Sequence, residues 1–221
     1  MISDVTVIML TPNLVPIKWA QFHKQKLLEA IGDTPLITVS TKPLDFGLNI
    51  IQEGYGLVNI YKQVLRAAKI AKTPWIAMAD DDTLYPKSHF EYRPGAEGFF
   101  YNLNRWHIFT WGEPIYFHKP WQGNGLMMAT RELVIKALEN RFENGDDLPI
   151  DSCHELGTRR NMLEKDLVKS SIFYTDEPVL SFYHDDSFDS SIKAHKKRMF
   201  PIRAYDIPVW GKAQDMRKKF I

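Results

Sequence analysis

Pro74-Trp75-Ile76-Ala77-Met78-Ala79-Asp80-Asp81-Asp82 is the stretch that decides the fold. Its apolar run, Trp75 to Ala79, has the length of a strand, and Thr73-Pro74 ends whatever helix comes before it. The run leads straight into three aspartates, so the acidic triplet is expected at the carboxyl end of a strand, where open α/β sheets place their ligands. Three negative charges within a few ångströms repel one another unless something neutralises them. Aspartate oxygens suit a divalent cation such as Mg²⁺ or Mn²⁺, ions that also grip phosphate oxygens. The competing reading is an acidic turn, or the N-cap of a helix starting after Thr83.

Moving outward, Val5 to Leu10 is a β-branched apolar run stopped by Thr11-Pro12-Asn13, which reads as a buried strand and a loop. Lys18 to Ile31 reads as a helix closed by Gly32, and Leu36 to Ser40 as a second strand, giving a βαβ opening. After Gly54-Tyr55-Gly56, the residues Leu57, Ile60, Tyr61, Val64, Leu65, Ala68 and Ala71 recur at helical steps and make one apolar face. Phe99 to His118, broken by Gly112 and Pro114, predicts a hairpin or meander, and Trp121-Gln122-Gly123-Asn124-Gly125 a flexible loop. A helix is expected over about 130–142, with Leu133, Val134, Ala137 and Leu138 buried. Another is expected over about 152–168, with Ser152-x-x-Glu155 as a capping box and Cys153, Leu156, Arg160, Leu163 and Leu167 at helical spacing. The last strand candidate is Ile172 to Tyr183, interrupted at Asp176-Glu177-Pro178.

The 221 residues, 44% hydrophobic and 25% charged, suffice for one sizeable core, and one domain is the expectation. A lone cysteine, Cys153, excludes an internal disulfide, and no Cys/His cluster has zinc spacing. The opening MISDVTVIML lacks a basic leader, and no run reaches about 18 apolar residues, so a cytoplasmic protein without a transmembrane segment is expected. The net charge of +1 is uneven. Residues 193–221 carry nine basic groups against Asp206 and Asp215, a local +7 beside a body at −6. A basic segment on an acidic body suits an anionic partner, or it is simply solvated.

Together these features resemble the GT-A glycosyltransferases, most of all the broad family 2 of nucleotide-sugar transferases. The resemblance runs over roughly residues 5–140 and rests on the strand ending in Thr11-Pro12-Asn13, the Gly54-x-Gly56-x-x-Asn59 helix start, and the acidic triplet after its strand. It implies a single α/β domain over 1–221, a Rossmann-like mixed sheet flanked by helices. Residues 1–98 would form a nucleotide-binding half, 99–192 an acceptor-side half and 193–221 a basic C-terminal segment. It implies a metal-dependent, hexosyltransferase-type enzyme with a nucleotide-sugar donor, a UDP-sugar being expected, and Mn²⁺ or Mg²⁺. Thr11, Pro12 and Asn13 would line the nucleotide pocket with Asn59 on the donor side. Asp80 or Asp81 would meet the ribose, and Asp82, with Asp80, the metal. A histidine near the C-terminus would complete the metal site, His184 first and His195 second. The segment from Ser187 through Ser190 and Ser191 to Lys193, Lys196, Lys197 and Arg198 could close over the donor phosphates.

Inverting transfer needs a carboxylate to take the proton of the acceptor hydroxyl. The family places that base in a Glu-Asp pair ahead of Asp-Leu-x-x-Arg. Here Glu155-Leu156-Gly157-Thr158-Arg159 imitates the second half, while Ser152 and Cys153 stand where the pair would fall. Asp151 and Glu155 are the candidates, with Asp146 and Asp147 nearby. The chain also looks similar in size and arrangement to small phage GT-A enzymes that glycosylate hydroxymethylated pyrimidines in DNA, which would make such DNA the acceptor and a host cytoplasm the setting. The rival acceptor is a polysaccharide or glycolipid precursor, with the basic segment on anionic headgroups. The rival chemistry is nucleotidyl transfer, for which a Gly-rich, basic loop would follow the first strand. Leu10-Thr11-Pro12-Asn13-Leu14-Val15-Pro16 is neither.

Overall fold

The strand that carries the acidic run, β4 (Trp75–Asp80), lies parallel beside β1 (Val5–Thr11), with Leu10 opposite Asp80. This is a computed structural model of the chain, and it describes residues 3–143, 154–158, 169–185 and 200–221. From β1 the chain runs through α1 (Ile17–Ile31), β2 (Leu36–Ser40), β3 (Leu48–Ile51) and α2 (Leu57–Ile70) before reaching β4. There follow β5 (Thr83–Leu84), α3 (Lys87–Glu91), β6 (Phe99–Asn102), β7 (Arg105–Phe109), β8 (Tyr116–His118), a 3₁₀ turn (Asn124–Leu126), β9 (Met127–Thr130) and α4 (Arg131–Phe142). After them come β10 (Ser170–Phe173), β11 (Val179–Tyr183), β12 (Arg203–Ala204), β13 (Asp206–Ile207), β14 (Gly211–Lys212) and α5 (Ala213–Phe220).

The large sheet has seven strands in the order β10-β6-β9-β4-β1-β2-β3, and β9 runs against the rest. This is a mixed sheet flanked by helices, as expected. The chain steps outward from β1 to β2 and β3, then α2 carries it back to β4 on the other side of β1. Strand order therefore reverses between β1 and β4, which opens a crevice at their carboxyl ends. Ile76, Ala77, Met78 and Ala79 are fully buried, because a central strand covered on both faces must be apolar throughout. The strands before residue 98, β4, β1, β2 and β3, make one side of this sheet and β10, β6 and β9 the other, joined where β4 pairs with β9.

A second sheet, β12-β8-β7-β11-β5, gathers a separate core around Trp19, Ile108, Leu180, Phe182, Met216 and Phe220. The buried stripe of α1 spans both cores, with Trp19 in the second and Leu27, Ala30 and Ile31 in the first. The rings of Phe182 and Phe220 lie 4.4 and 4.9 Å from Trp19, so α5 closes over the far side of α1. Among the described residues no helix is long and apolar enough to cross a membrane.

Three expectations change. The hairpin over 99–118 forms only as β7–β8, because β6 joins the large sheet instead. The strand over 172–183 is two strands in different sheets, parted at the predicted break. The helix expected over 152–168 does not form at His154 to Thr158, which make a turn with Gly157 at φ 71°, a left-handed conformation that helix cannot contain, and the remainder of that expectation lies outside the described residues. β3, a four-residue edge strand, is an addition to the expected elements.

His89 on α3 is fully buried among Tyr85, Phe90 and Phe173, and its Nδ1 accepts from the Asn102 amide at 3.2 Å, a bond only the neutral ring can take. Burial lowers its pKa from 6.5 to about 3. Between these values the unfolded chain binds a proton that the folded chain refuses, so this contribution is whole above the unfolded pKa and is lost as pH falls. Relative to His89→Gln, the wild-type protein should therefore lose about 2 kcal/mol of stability on going from about pH 7.5 to about pH 5. Urea unfolding of both proteins at the two pH values checks this, and an unchanged difference would contradict it.

Candidate functional site

The register between β1 and β4 places Thr11 beside the residue after Asp80, and the Thr11 hydroxyl donates to Asp81 Oδ2. Asp81 and Asp82 form the turn into β5, so the triplet caps no helix. Three hydrogen bonds hold its backbone. Trp19 Nε1 on α1 donates to the Asp81 carbonyl at 2.8 Å, Phe182 N on β11 donates to the Asp82 carbonyl at 2.9 Å, and Asp80 N donates to the Tyr85 hydroxyl at 2.9 Å. His23 ties α1 to the same turn through the Thr83 carbonyl at 3.0 Å.

Burial first, then the charge of Asp82, pushes the Asp80 carboxyl up to about 7, against the opposing pull of Arg105 and the Gly125 backbone N–H. Asp81 is pushed up to about 8 by burial and by Asp82, with the Thr11 bond opposing. Asp80 and Asp81 thus resist ionisation beside Asp82, an arrangement that gains from added positive charge. His184, at the end of β11, turns Nε2 toward Asp82 Oδ2 at 3.8 Å. The Phe220 ring stands 5.0 Å from the His184 ring. Among the described residues no three His, Cys, Asp or Glu side chains are arranged to hold a metal ion. Asp82 and His184 are a pair of donors that would need further ligands from outside the protein.

The structure gathers Thr11, Asp80, Asp81, Asp82 and His184 at one place. Pro12 and Asn13 lie in the adjoining loop, which is built by hydrogen bonds. Asn13, at φ 56°, accepts through Oδ1 from Lys42 N at 2.9 Å, and the single Thr41 hydroxyl proton is shared between Asn13 Oδ1 at 2.9 Å and the Pro12 carbonyl at 2.8 Å. Asn59 is committed elsewhere: its amide donates to the Gly54 carbonyl at 2.9 Å and its Oδ1 accepts from Gln63 at 3.0 Å, which fixes the turn ahead of α2. Glu155 sits in a turn beside β6, where Tyr101 donates to the Leu156 carbonyl, and β9 lies between β6 and the acidic strand. Asp151, Asp146, Asp147, His195, Lys197 and Arg198 lie outside the described residues.

Four contributors went unread in the sequence. Gly125 was a loop glycine there, but here a Cβ at this position would stand 2.1 Å from Asp80 Oδ2. Arg105, Ser181 and Tyr85 reach the site only by folding, and no local pattern marks them. Two surface recesses, of about 670 Å³ around Thr73 to Trp75 and about 510 Å³ along α4, lie away from the triplet. The first is at the opposite end of β4 and holds no cluster of perturbed groups.

No protein-family model matches the sequence, and no curated protein matches it. Among solved structures the chain is similar to the inositol-1-phosphate CTP transferase of T. maritima, at 10% identity and TM-score 0.50, over 87% of this chain and 95% of that one. It is also similar to a mannosyltransferase from Pyrobaculum calidifontis in complex with GDP-Man and Mn²⁺, at 15% identity and TM-score 0.49, over 83% and 57%. A third is the bifunctional IspDF of Campylobacter jejuni, at 10% identity and TM-score 0.48, over 79% and 50%. The chain spans 57% and 50% of the length of the last two. At these identities the likeness is one of fold.

Because Gly125 leaves no room for a methyl group, Gly125→Ala should destabilise the protein by about 1–3 kcal/mol, the usual range for overpacking. In an Asp80→Ala background the penalty should shrink, since the clashing carboxylate is gone. Chemical denaturation of the double-mutant cycle measures this, and strict additivity would contradict the contact.

Proposed function

We propose that the chain is a transferase that takes a sugar from a nucleotide-sugar donor, a UDP-sugar being the expected one, and passes it with inversion to an acceptor hydroxyl. The observation that carries the reading is the meeting of Asp80, Asp81 and Asp82 with Thr11 and His184 at the point where strand order reverses. Asp82 and His184, with Asp80 beside them, are the residues that would hold Mn²⁺ or Mg²⁺. The carboxylates suit such an ion, the imidazole suits Mn²⁺ better than Mg²⁺, and two protein donors would leave room for oxygen ligands from the donor. When bound, the ion would offset the charge that develops on the departing diphosphate.

The chain's own residues supply the rest. Thr11, Pro12 and Asn13 form the wall for the nucleotide, and Asp80 or Asp81 faces the ribose. Glu155 or Asp151 takes the proton of the acceptor hydroxyl. The acceptor is a hydroxymethylated pyrimidine in DNA, or else a polysaccharide or glycolipid precursor, and the basic segment from Lys193 to Lys219 is its contact if it is a polyanion.

With Mn²⁺ present the protein should slowly release UDP from a UDP-sugar. A nucleotidyltransferase would instead release pyrophosphate from a nucleoside triphosphate. Asp82→Ala should weaken UDP binding in Mn²⁺ by at least the roughly 10–100-fold that even outer-shell changes cost a metal site. Titration calorimetry checks this, and equal UDP affinity in EDTA and in Mn²⁺ would overturn the metal assignment.

A further inference from the structure

Arg105 begins β7 in the second sheet, and its Nε donates to Ser181 Oγ on β11 at 3.1 Å. Ser181 is paired across the strands with Thr83 on β5, and their hydroxyl oxygens lie 3.0 Å apart. Thr83 Oγ1 in turn donates to Asp82 Oδ1 at 2.9 Å. The protons along this row can be assigned. The Asp82 Oδ1 accepts, so it uses the single hydroxyl proton of Thr83. The contact between the two hydroxyls is then completed by the Ser181 proton, and Ser181 accepts from Arg105. A one-way chain of hydrogen bonds therefore joins the Arg105 cation to the Asp82 carboxylate, and both hydroxyls are buried.

This chain uses only Nε. Among the described residues neither terminal nitrogen of Arg105 has a hydrogen-bond partner, and no carboxylate forms an ion pair with it. The nearby Lys119 differs: its ammonium donates to the Tyr183 hydroxyl at 2.8 Å and lies 4.3 Å from the centre of the Trp121 ring. The loop beside Arg105 is cut away for it. A Cβ on Gly123 would stand 2.7 Å from the Arg105 Nη1, just as one on Gly125 would strike Asp80. Two glycines two residues apart thus give clearance to a guanidinium and a carboxylate at one site. A half-buried arginine that is fixed at Nε with its outer edge unused is arranged to receive an oxyanion, because the planar fork matches phosphate oxygens.

We infer that Arg105 is the anion-contacting residue of this site, held in register with Asp82 by the Ser181–Thr83 hydroxyl pair, and that it takes the diphosphate of the donor. The inference rests on the nucleotide-sugar reading for the identity of its ligand. Ser181 and Thr83 are positioning residues, and Arg105 touches the ligand.

The test measures binding of UDP, uridine and inorganic pyrophosphate, in Mn²⁺, to the wild type and to Arg105→Met, Arg105→Lys, Ser181→Ala and Asp82→Ala. Arg105→Met should weaken UDP and pyrophosphate by about tenfold or more, the scale of a lost charge-assisted hydrogen bond, and leave uridine unchanged. Arg105→Lys keeps the charge, guards against a misfolded Met variant, and should fall between. Ser181→Ala should cause a smaller loss in the same two ligands only. UDP binding that is lost in Asp82→Ala but unaltered in both Arg105 variants would overturn the inference while leaving the reading of the site intact. Pyrophosphate binding that depends on Arg105 without any binding of UDP would overturn the nucleotide reading and uphold the anion site.

Discussion

Three carboxylates in consecutive positions at the end of a buried strand repel one another, and the surroundings of Asp80, Asp81 and Asp82 are organised by that repulsion. A covered apolar strand cannot dilute the charge with water, so the protein supplies donors instead: Thr11 to Asp81, Thr83 to Asp82, the Gly125 N–H to Asp80, and the Arg105 charge nearby. These offset part of the cost. Asp80 and Asp81 still sit near 7 and 8, so the cluster remains short of positive charge at neutral pH. A site in that condition favours a ligand that brings a cation with it, and the nucleotide-sugar reading provides one.

The cluster also depends on a second sheet that the acidic strand does not belong to. β5 leaves the triplet directly and pairs with β11, whose backbone at Phe182 grips the Asp82 carbonyl and whose end carries His184. The geometry is kept by apolar packing. Phe182 and Phe220 stack at 5.1 Å, Trp19 packs on both, and the Trp19 indole reaches back to Asp81. The last helix thus braces the histidine from behind through Phe220, while its basic residues point elsewhere: Lys218 pairs with Asp215 and Lys219 lies over Phe22.

Local pattern was enough for much of this. The run from Trp75 to Ala79, the α2 stripe and the βαβ opening are short-range signals, and each appears where the periodicity puts it. Sheet membership was not legible, because alternation does not say which neighbour a strand will choose, so β6 left its expected hairpin and β10 parted from β11. Helical spacing over 152–168 overrode one glycine that needed a positive φ. Around the triplet, the acidic residues and His184 were visible by type, whereas Arg105, Ser181 and Gly125 matter only through partners many residues away. Asn59 shows the converse: a residue singled out by motif turned inward to hold its own loop.

The central claim is that Asp82 and His184 face a divalent cation shared with a nucleoside diphosphate. Anomalous diffraction from a crystal grown with Mn²⁺ and UDP tests it most directly. The account predicts one strong manganese peak in contact with both Asp82 and His184 and with the diphosphate. Bound UDP without a peak there, or with the manganese at another group of residues, would contradict it.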